Sequence, residues 1–240
     1  MVQQMNVKRF YNNLPFNTGD DTKQNNIPWP SLHTYLKCSK SVTELGCGTG
    51  WLCARIKKQY PDLKITGIDI SETAIEQACM RTNDVDYKID NLLTYSKKSD
   101  VVISIGVLHH IETNDIKSLL HKAIALSKKY CFIGLYHEDS RKAIFDFFNN
   151  YPESKRKALF KKMMPHMTNT EQRDSWFRDQ FYNPYEQSIS LYTMKQVAEE
   201  TNTKLEYTNI NNDSTYNNVM EKYDDYKYAY KDYGLGVIDA

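Results

Sequence analysis

Several absences narrow the class of this chain before any motif is read. The longest apolar run, around residues 101–108, falls far short of the about 20 residues needed to cross a bilayer. Residues 1–10 hold no apolar stretch ahead of a small-residue cleavage site, so no secretory signal is expected and the cytoplasm is the expected compartment. The five cysteines, Cys38, Cys47, Cys53, Cys79 and Cys131, are odd in number and include no C-x-x-C pair. That pattern argues against a disulfide framework and against a zinc site, and no metal is expected. An excess of one charge is missing too: 31 Lys plus Arg face 30 Asp plus Glu, a net charge of +1. No global field draws in nucleic acid or an anionic membrane. Internal repeats and low-complexity linkers are also absent.

What is present is a globular composition, 40% hydrophobic and 25% charged over 240 residues, enough for one large domain spanning 1–240. Residues 1–40 carry Pro15, Pro28 and Pro30 and few periodic apolar positions, so they read as a short helix plus an irregular covering segment. From residue 41, β-prone runs alternate with helical patterns. Strands are expected at 41–45, 64–68, 85–89, 101–105 and 130–135, and helices at 51–60, 73–81 and 115–128. That alternation is the signature of a parallel sheet covered by helices on both faces. Residues 137–167 read as almost unbroken helix within an inserted helical cap, 137–190; the stretch 176–185 reads as irregular around Pro184. A helix at 192–201 and a strand at 204–210 follow, and the tyrosine-rich tail 223–238 is read as a last strand ending at Gly234 and Gly236.

The sharpest signal is Glu44-Leu45-Gly46-Cys47-Gly48-Thr49-Gly50, directly after the first strand and directly before the helix that follows it. Glycines allow a tight turn and close approach of a ligand, and the helix start behind them offers free N–H groups. Dinucleotide sites space their glycines G-x-G-x-x-G; here the spacing is G-x-G-x-G. With Glu44 two positions ahead of Gly46 and Asp69 closing the second strand, the chain resembles the class I S-adenosylmethionine-dependent methyltransferases of the small-molecule branch. The resemblance is strong over about 41–135 and weak beyond. It implies a Rossmann-like seven-stranded, mostly parallel sheet with an antiparallel last strand.

The resemblance also implies roles. Glu44, Gly46, Cys47, Gly48, Gly50 and Ile70 would hold S-adenosylmethionine, Asp69 would accept its ribose hydroxyls, and Asp90 and Asn91 would contact its adenine. Ile105 belongs to the fourth-strand segment Ser104-Ile105-Gly106-Val107-Leu108-His109-His110, similar to the family motif beside which the methyl group emerges. His110, then His109, is the candidate proton acceptor; adjacent side chains diverge, so one of the two is expected to pack. Tyr11 matches an N-terminal aromatic that closes over the cofactor, with an aromatic anchor as the plainer reading. Trp51 is read as packing. The segment from Asp179 to Glu186 resembles an Asp-x-x-x-x-Pro-x-Glu stretch at the substrate mouth, and Tyr182, Tyr185 and His137 are the candidate substrate residues. Lys155, Arg156, Lys157, Lys161 and Lys162 form a basic helix face, read as solvated surface or as a lid over an anionic substrate.

The function expected is methyl transfer to a small-molecule acceptor by in-line displacement, yielding S-adenosylhomocysteine. The alternatives are a tRNA or protein methyltransferase and a non-catalytic S-adenosylmethionine-binding protein. Asn183-Pro184-Tyr185 only superficially resembles the Asn-Pro-Pro-Tyr motif of amino-methyltransferases, which belongs at the end of the fourth strand; nor does a Pro-Cys nucleophile stand there.

Overall fold

The computed structural model describes residues 2–18, 26–113, 115–165, 167–208 and 233–239. Helices α1 (Val2–Asn13) and α2 (Pro30–Lys37) precede the sheet. The expected single helix is therefore two, because Pro30 in the first turn of α2 starts a helix rather than breaking one. Strand β1 (Ser41–Leu45), α3 (Trp51–Gln59), β2 (Lys64–Asp69), α4 (Glu72–Arg81), β3 (Asp86–Ile89) and β4 (Ser99–Ile105) follow. After a 3-10 turn (Leu108–His110) come α5 (Ile116–Leu126) and β5 (Ser127–Tyr136). Helix α5 is shorter than its apolar pattern suggests, and β5 begins at once, with Ser127 Oγ donating to the Ile124 carbonyl at 2.7 Å.

Five strands run parallel in the order β3-β2-β1-β4-β5, a Rossmann-like α/β arrangement flanked by helices. Beyond β5 the sheet continues through β7 (Tyr233–Asp239) to β6 (Lys204–Thr208), both pairings antiparallel. Gly234 and Gly236 lie within β7, opposite Leu135 and Ile133, rather than at its end. The expected strand residues 209–210 and 223–232 lie outside the described residues.

The central strands bury both faces with period two. Val101 and Ile103 of β4 and Phe132 of β5 join the core under α2 and α3, while Val102, Cys131, Ile133 and Leu135 join the core under α5. Between β5 and the next helix against the sheet, α9 (Leu191–Glu200), lie α6 (Glu138–Asn149), α7 (Glu153–Met163) and α8 (Thr170–Tyr182). The expected unbroken helix over 137–167 is thus two, divided ahead of Pro152, which lacks the N–H to continue a helix and caps α7 instead. The stretch read as irregular over 176–185 is mostly α8, started by Asn169, whose Oδ1 accepts from the Gln172 N–H at 3.0 Å. These helices share their own apolar cluster of Phe148, Phe160, Met164, Met167 and Phe177.

In this strand order, crossovers leave β1 in one direction and reach β4 in the other, so a crevice opens beyond the C-terminal ends of β1 and β4. The Gly-rich turn and the Gly106–His110 segment both project there.

Candidate functional site

A cavity of about 470 Å³ fills that crevice, within the range of small-ligand sites. Its wall includes nine of the residues expected from sequence: Tyr11, Glu44, Gly46, Cys47, Gly48, Asp69, Ile70, Ile105 and His110.

The three glycines of the turn all have positive φ, yet they do different work. A Cβ on Gly46 would lie 2.4 Å from a methyl of Val107, and one on Gly50 would lie 2.5 Å from the Tyr87 hydroxyl and 2.8 Å from Ala78. Those two keep the turn packed against β4 and α4. Gly50, which starts α3, does not line the cavity. A Cβ on Gly48 would meet nothing nearer than the Phe16 carbonyl at 3.9 Å, so its bare face borders open space. The Gly48 N–H donates to Asp69 Oδ2 at 2.8 Å, and the Ser71 N–H to Asp69 Oδ1 at 2.8 Å. Burial pushes the Asp69 carboxyl above its ordinary range, opposed by those backbone donors. Ser71 in turn caps α4, accepting from the Ala74 N–H at 3.2 Å.

Glu44 forms the buried floor and accepts from the Cys53 thiol at 2.8 Å. Burial pushes its carboxyl up to about 8, with the Cys53 hydrogen bond acting against the rise. With its carboxyl raised that far, Glu44 is protonated at pH 7. Trp51 packs against Trp29, ring centroids 6.0 Å apart, and also lines the cavity.

The opposite wall is built by α1, α8 and the 3-10 turn. Tyr11 donates its hydroxyl to Asp179 Oδ1 at 2.6 Å and accepts from Asn183 Nδ2 at 2.8 Å. Burial, reinforced by the Asp179 charge, raises the phenol well above its ordinary value, so Tyr11 stays a donor. His110 Nδ1 lies 2.9 Å from the Tyr185 carbonyl oxygen. A carbonyl can only accept, so Nδ1 carries the proton. Nε2 then faces Asp179 Oδ1 at 3.8 Å, beyond hydrogen-bond distance, and has no hydrogen-bond partner among the described residues although His110 is only 2% exposed.

His109 does not line the cavity. Its ring is fully buried and stacks on Tyr136 at 4.0 Å, and burial, aided by the charges of His110 and Arg141, lowers its pKa well below the ordinary value. It packs as a neutral imidazole. Asp90 and Asn91 also lie off the cavity: the Asp90 N–H donates to the Asp69 carbonyl at 2.9 Å and the Asn91 N–H to Asp90 Oδ1 at 2.7 Å, so they shape a turn that presents Leu92. Among the substrate candidates, Tyr182 is 45% exposed, His137 caps the start of α6, and Tyr185 donates its hydroxyl to the Thr113 carbonyl at 3.0 Å. None of the three side chains lines the cavity; Tyr185 acts on it only through its backbone, by fixing His110. The lysines of α7 are exposed, and none lines the cavity.

The site residues missed are Gln172 and Trp176; with Asp179, which the sequence places at the substrate mouth, they stand at i, i+4 and i+7 of α8 and face the cavity together. Reading 170–182 as a helix would have placed them on one face. Asn17 helps seat that helix, accepting from Gln172 Nε2 at 2.8 Å and Trp176 Nε1 at 2.9 Å. Among the described residues, no group of three or more His, Cys, Asp or Glu is arranged to hold a metal ion.

Comparison with known proteins agrees with this geometry. A methyltransferase-domain profile matches residues 43–131, from β1 into β5. A malonyl-[acyl-carrier protein] O-methyltransferase of Acetivibrio thermocellus is 28% identical over 127 residues, 51% of this chain and 44% of that protein. A ribosomal protein L11 methyltransferase of Thermotoga maritima is 32% identical over 98 residues, 38% of this chain and 37% of that protein. The chain thus matches less than half the length of these relatives. Among solved structures, a magnesium protoporphyrin IX methyltransferase from Synechocystis PCC 6803 with bound SAH superposes with a TM-score of 0.58 at 14% identity, covering 98% of each chain, which speaks to the fold. The methyltransferase-domain match over residues 43–131 thus lies on a Rossmann-like sheet whose Gly-rich turn and Asp69 meet beyond the ends of β1 and β2, the stretch over which the sequence resembles the class I S-adenosylmethionine-dependent methyltransferases.

Proposed function

We propose that this chain is an enzyme (EC 2.1.1.-) that transfers a methyl group from S-adenosylmethionine to a small-molecule acceptor, releasing S-adenosylhomocysteine. The observation that carries the reading is the open face of Gly48 beside an Asp69 carboxylate fixed by two backbone N–H groups, on the wall of a closed-in cavity. That cradle fits the cofactor chemically: a Cβ would fill it, and carboxylates suit a ligand with an ammonium, a sulfonium and vicinal hydroxyls. Bound there, the cofactor supplies a methyl group on sulfur open to in-line displacement. Asp69 holds the ribose hydroxyls, Ile70 and Leu92 flank the adenine, and Gly46, Cys47 and Ile105 border the methionine part. His110 accepts the acceptor's proton at Nε2, and Tyr11 closes the site from α1.

The helices over 137–190 form the cap that selects the acceptor, since α8 supplies the wall opposite the cofactor cradle. A nucleic-acid substrate has little support: none of the α7 lysines lines the cavity, Lys157 pairs with Glu153 at 2.9 Å, and Lys155 lies over the Tyr151 ring at 4.3 Å. Free thiols at all five cysteines agree with the cytoplasmic setting, and among the described residues no helix is long and apolar enough to cross a membrane. Incubation with S-adenosylmethionine and a panel of small acceptors tests the reading. Acceptor-dependent release of S-adenosylhomocysteine, abolished in His110→Asn, is expected; release that ignores the variant would remove His110 from the chemistry.

A further inference from the structure

The charge on the cavity wall is lopsided. Among the described residues, three carboxylates line it, Asp69, Glu112 and Asp179, beside the Glu44 carboxyl that burial holds protonated, against one Arg or Lys, Arg55. Glu44 and Asp69 belong to the cofactor cradle, and Arg55 sits on α3, 4.8 Å over the Trp51 ring. That leaves Asp179 as the buried carboxylate of the acceptor wall, 5% exposed, holding the Tyr11 hydroxyl and facing the unpartnered Nε2 of His110. The nearest buried cation behind this wall is Arg141, and it is already matched. Its guanidinium pairs with Glu186, donates to Gln180 Oε1 at 3.0 Å, and covers the far face of Tyr136 at 4.3 Å. The rest of the acceptor wall is apolar or aromatic: Phe16, Tyr136, Met164, Met167 and Trp176.

Building on the proposed methyl transfer, we infer that the acceptor is a neutral, ring-sized apolar molecule carrying a hydroxyl or amine N–H. Asp179 is the residue that admits this protic group and rejects a carboxylate. A carboxylate placed here would face Asp179 without a cation to offset it, and like charges brought together in a low-dielectric site repel strongly. A neutral O–H or N–H instead finds an open acceptor in His110 Nε2, 3.8 Å from Asp179 Oδ1, which itself accepts from Tyr11 at 2.6 Å and from Asn183 Nδ2 at 3.4 Å. In the reaction, the acceptor's heteroatom pair forms the new bond to the methyl carbon as the carbon–sulfur pair returns to sulfur. The acceptor's proton passes to His110 Nε2, where the Asp179 carboxylate stabilises the resulting imidazolium. Charge is conserved: a sulfonium is consumed and an imidazolium appears.

The test is equilibrium binding rather than turnover. Para-ethylphenol, para-ethylaniline and para-ethylbenzoate share one apolar body, and each is titrated calorimetrically into protein saturated with S-adenosylhomocysteine, for the wild type and for Asp179→Asn. Affinity for S-adenosylhomocysteine, measured first, reports separately on the cofactor reading. The wild type is expected to bind the phenol and the aniline at least about tenfold more tightly than the benzoate, and Asp179→Asn to close that gap by improving the benzoate. Equal wild-type affinity for the benzoate would overturn the inference while leaving the cofactor site intact. So would a gap unchanged in Asp179→Asn, or failure of all three probes to bind protein that holds S-adenosylhomocysteine. If Asp179→Asn does not fold, the wild-type ranking alone still decides.

Discussion

Alanine at Gly46 and alanine at Gly48 should produce opposite phenotypes, although the two positions are two residues apart and both have positive φ, +73° and +51°. Each substitution carries the cost of a left-handed backbone for a residue with a Cβ, about 1–2 kcal/mol. At Gly46 the new methyl also lands 2.4 and 2.5 Å from the two γ carbons of Val107, a methyl-on-methyl overlap that must be relieved by shifting β1 or the turn after β4. Overpacking of this kind adds about 1–3 kcal/mol, so Gly46→Ala should lose about 2–5 kcal/mol in urea denaturation. Gly46→Ala/Val107→Ala should recover the overlap portion, leaving mainly the backbone cost. At Gly48 no overlap occurs, and the stability loss should stay near about 1–2 kcal/mol, a melting shift of about 2–8 °C for a chain of this size. Its methyl instead occupies the face that borders the cavity, so affinity for S-adenosylhomocysteine should fall about tenfold or more. Calorimetric binding beside urea melts separates the two effects. A Gly48→Ala protein that binds S-adenosylhomocysteine like the wild type would refute the assignment of that face to the cofactor, and a Gly46→Ala protein as stable as Gly48→Ala would refute the packing argument.

Other expectations follow from single groups. Glu44 has its carboxyl raised from 4.5 to about 8 on folding, so its contribution to stability is fully present below pH 4.5 and is lost as the pH rises through 8, at up to about 1.4 kcal/mol per pH unit. Glu44→Gln should flatten that decline in urea melts between pH 5 and 8; parallel pH profiles would contradict a neutral Glu44. Tyr11→Phe removes the hydroxyl that Asp179 accepts at 2.6 Å and should cost about 1–3 kcal/mol, read by thermal melting, with no change expected if the hydroxyl were idle. Among the described residues His109 has no hydrogen-bond partner at either ring nitrogen, so His109→Phe, which keeps the stack on Tyr136, should be neutral or stabilising by about 1 kcal/mol and leave S-adenosylhomocysteine binding unchanged. A binding loss in that variant would return His109 to the site.

The parallel strands and the cofactor end were legible in the sequence because local pattern and geometry coincide there. A buried strand such as 101–105 announces itself by its apolar run, and its C-terminal end is where a parallel sheet exposes its loops, so Gly48, Asp69, Ile105 and His110 could be placed by strand position alone. In the turn after β3, Leu92 lines the cavity and Asp90 and Asn91 do not, a difference of one or two residues that strand position does not resolve. The acceptor end was far less legible. Helix α8 interleaves aromatic and polar residues without a clear apolar stripe, because one face packs on Phe160 while another presents Gln172, Trp176 and Asp179 to the cavity. Its functional partner, Tyr11, is 168 residues away in sequence from Asp179. No periodicity within either segment encodes that pairing. The choice between His109 and His110 was equally hidden, because it depends on the Tyr185 carbonyl, 75 residues downstream of His110.

The central claim, that the Gly-rich turn and Asp69 hold S-adenosylmethionine, is tested most directly by calorimetric titration of the wild type and Asp69→Ala with S-adenosylmethionine and S-adenosylhomocysteine. Removing a carboxylate that Gly48 and Ser71 hold at 2.8 Å each should abolish or weaken binding of both by about tenfold or more, as expected for the loss of charge-assisted hydrogen bonds to the ribose. Absence of binding by the wild type, or equal affinity in Asp69→Ala, would contradict the account.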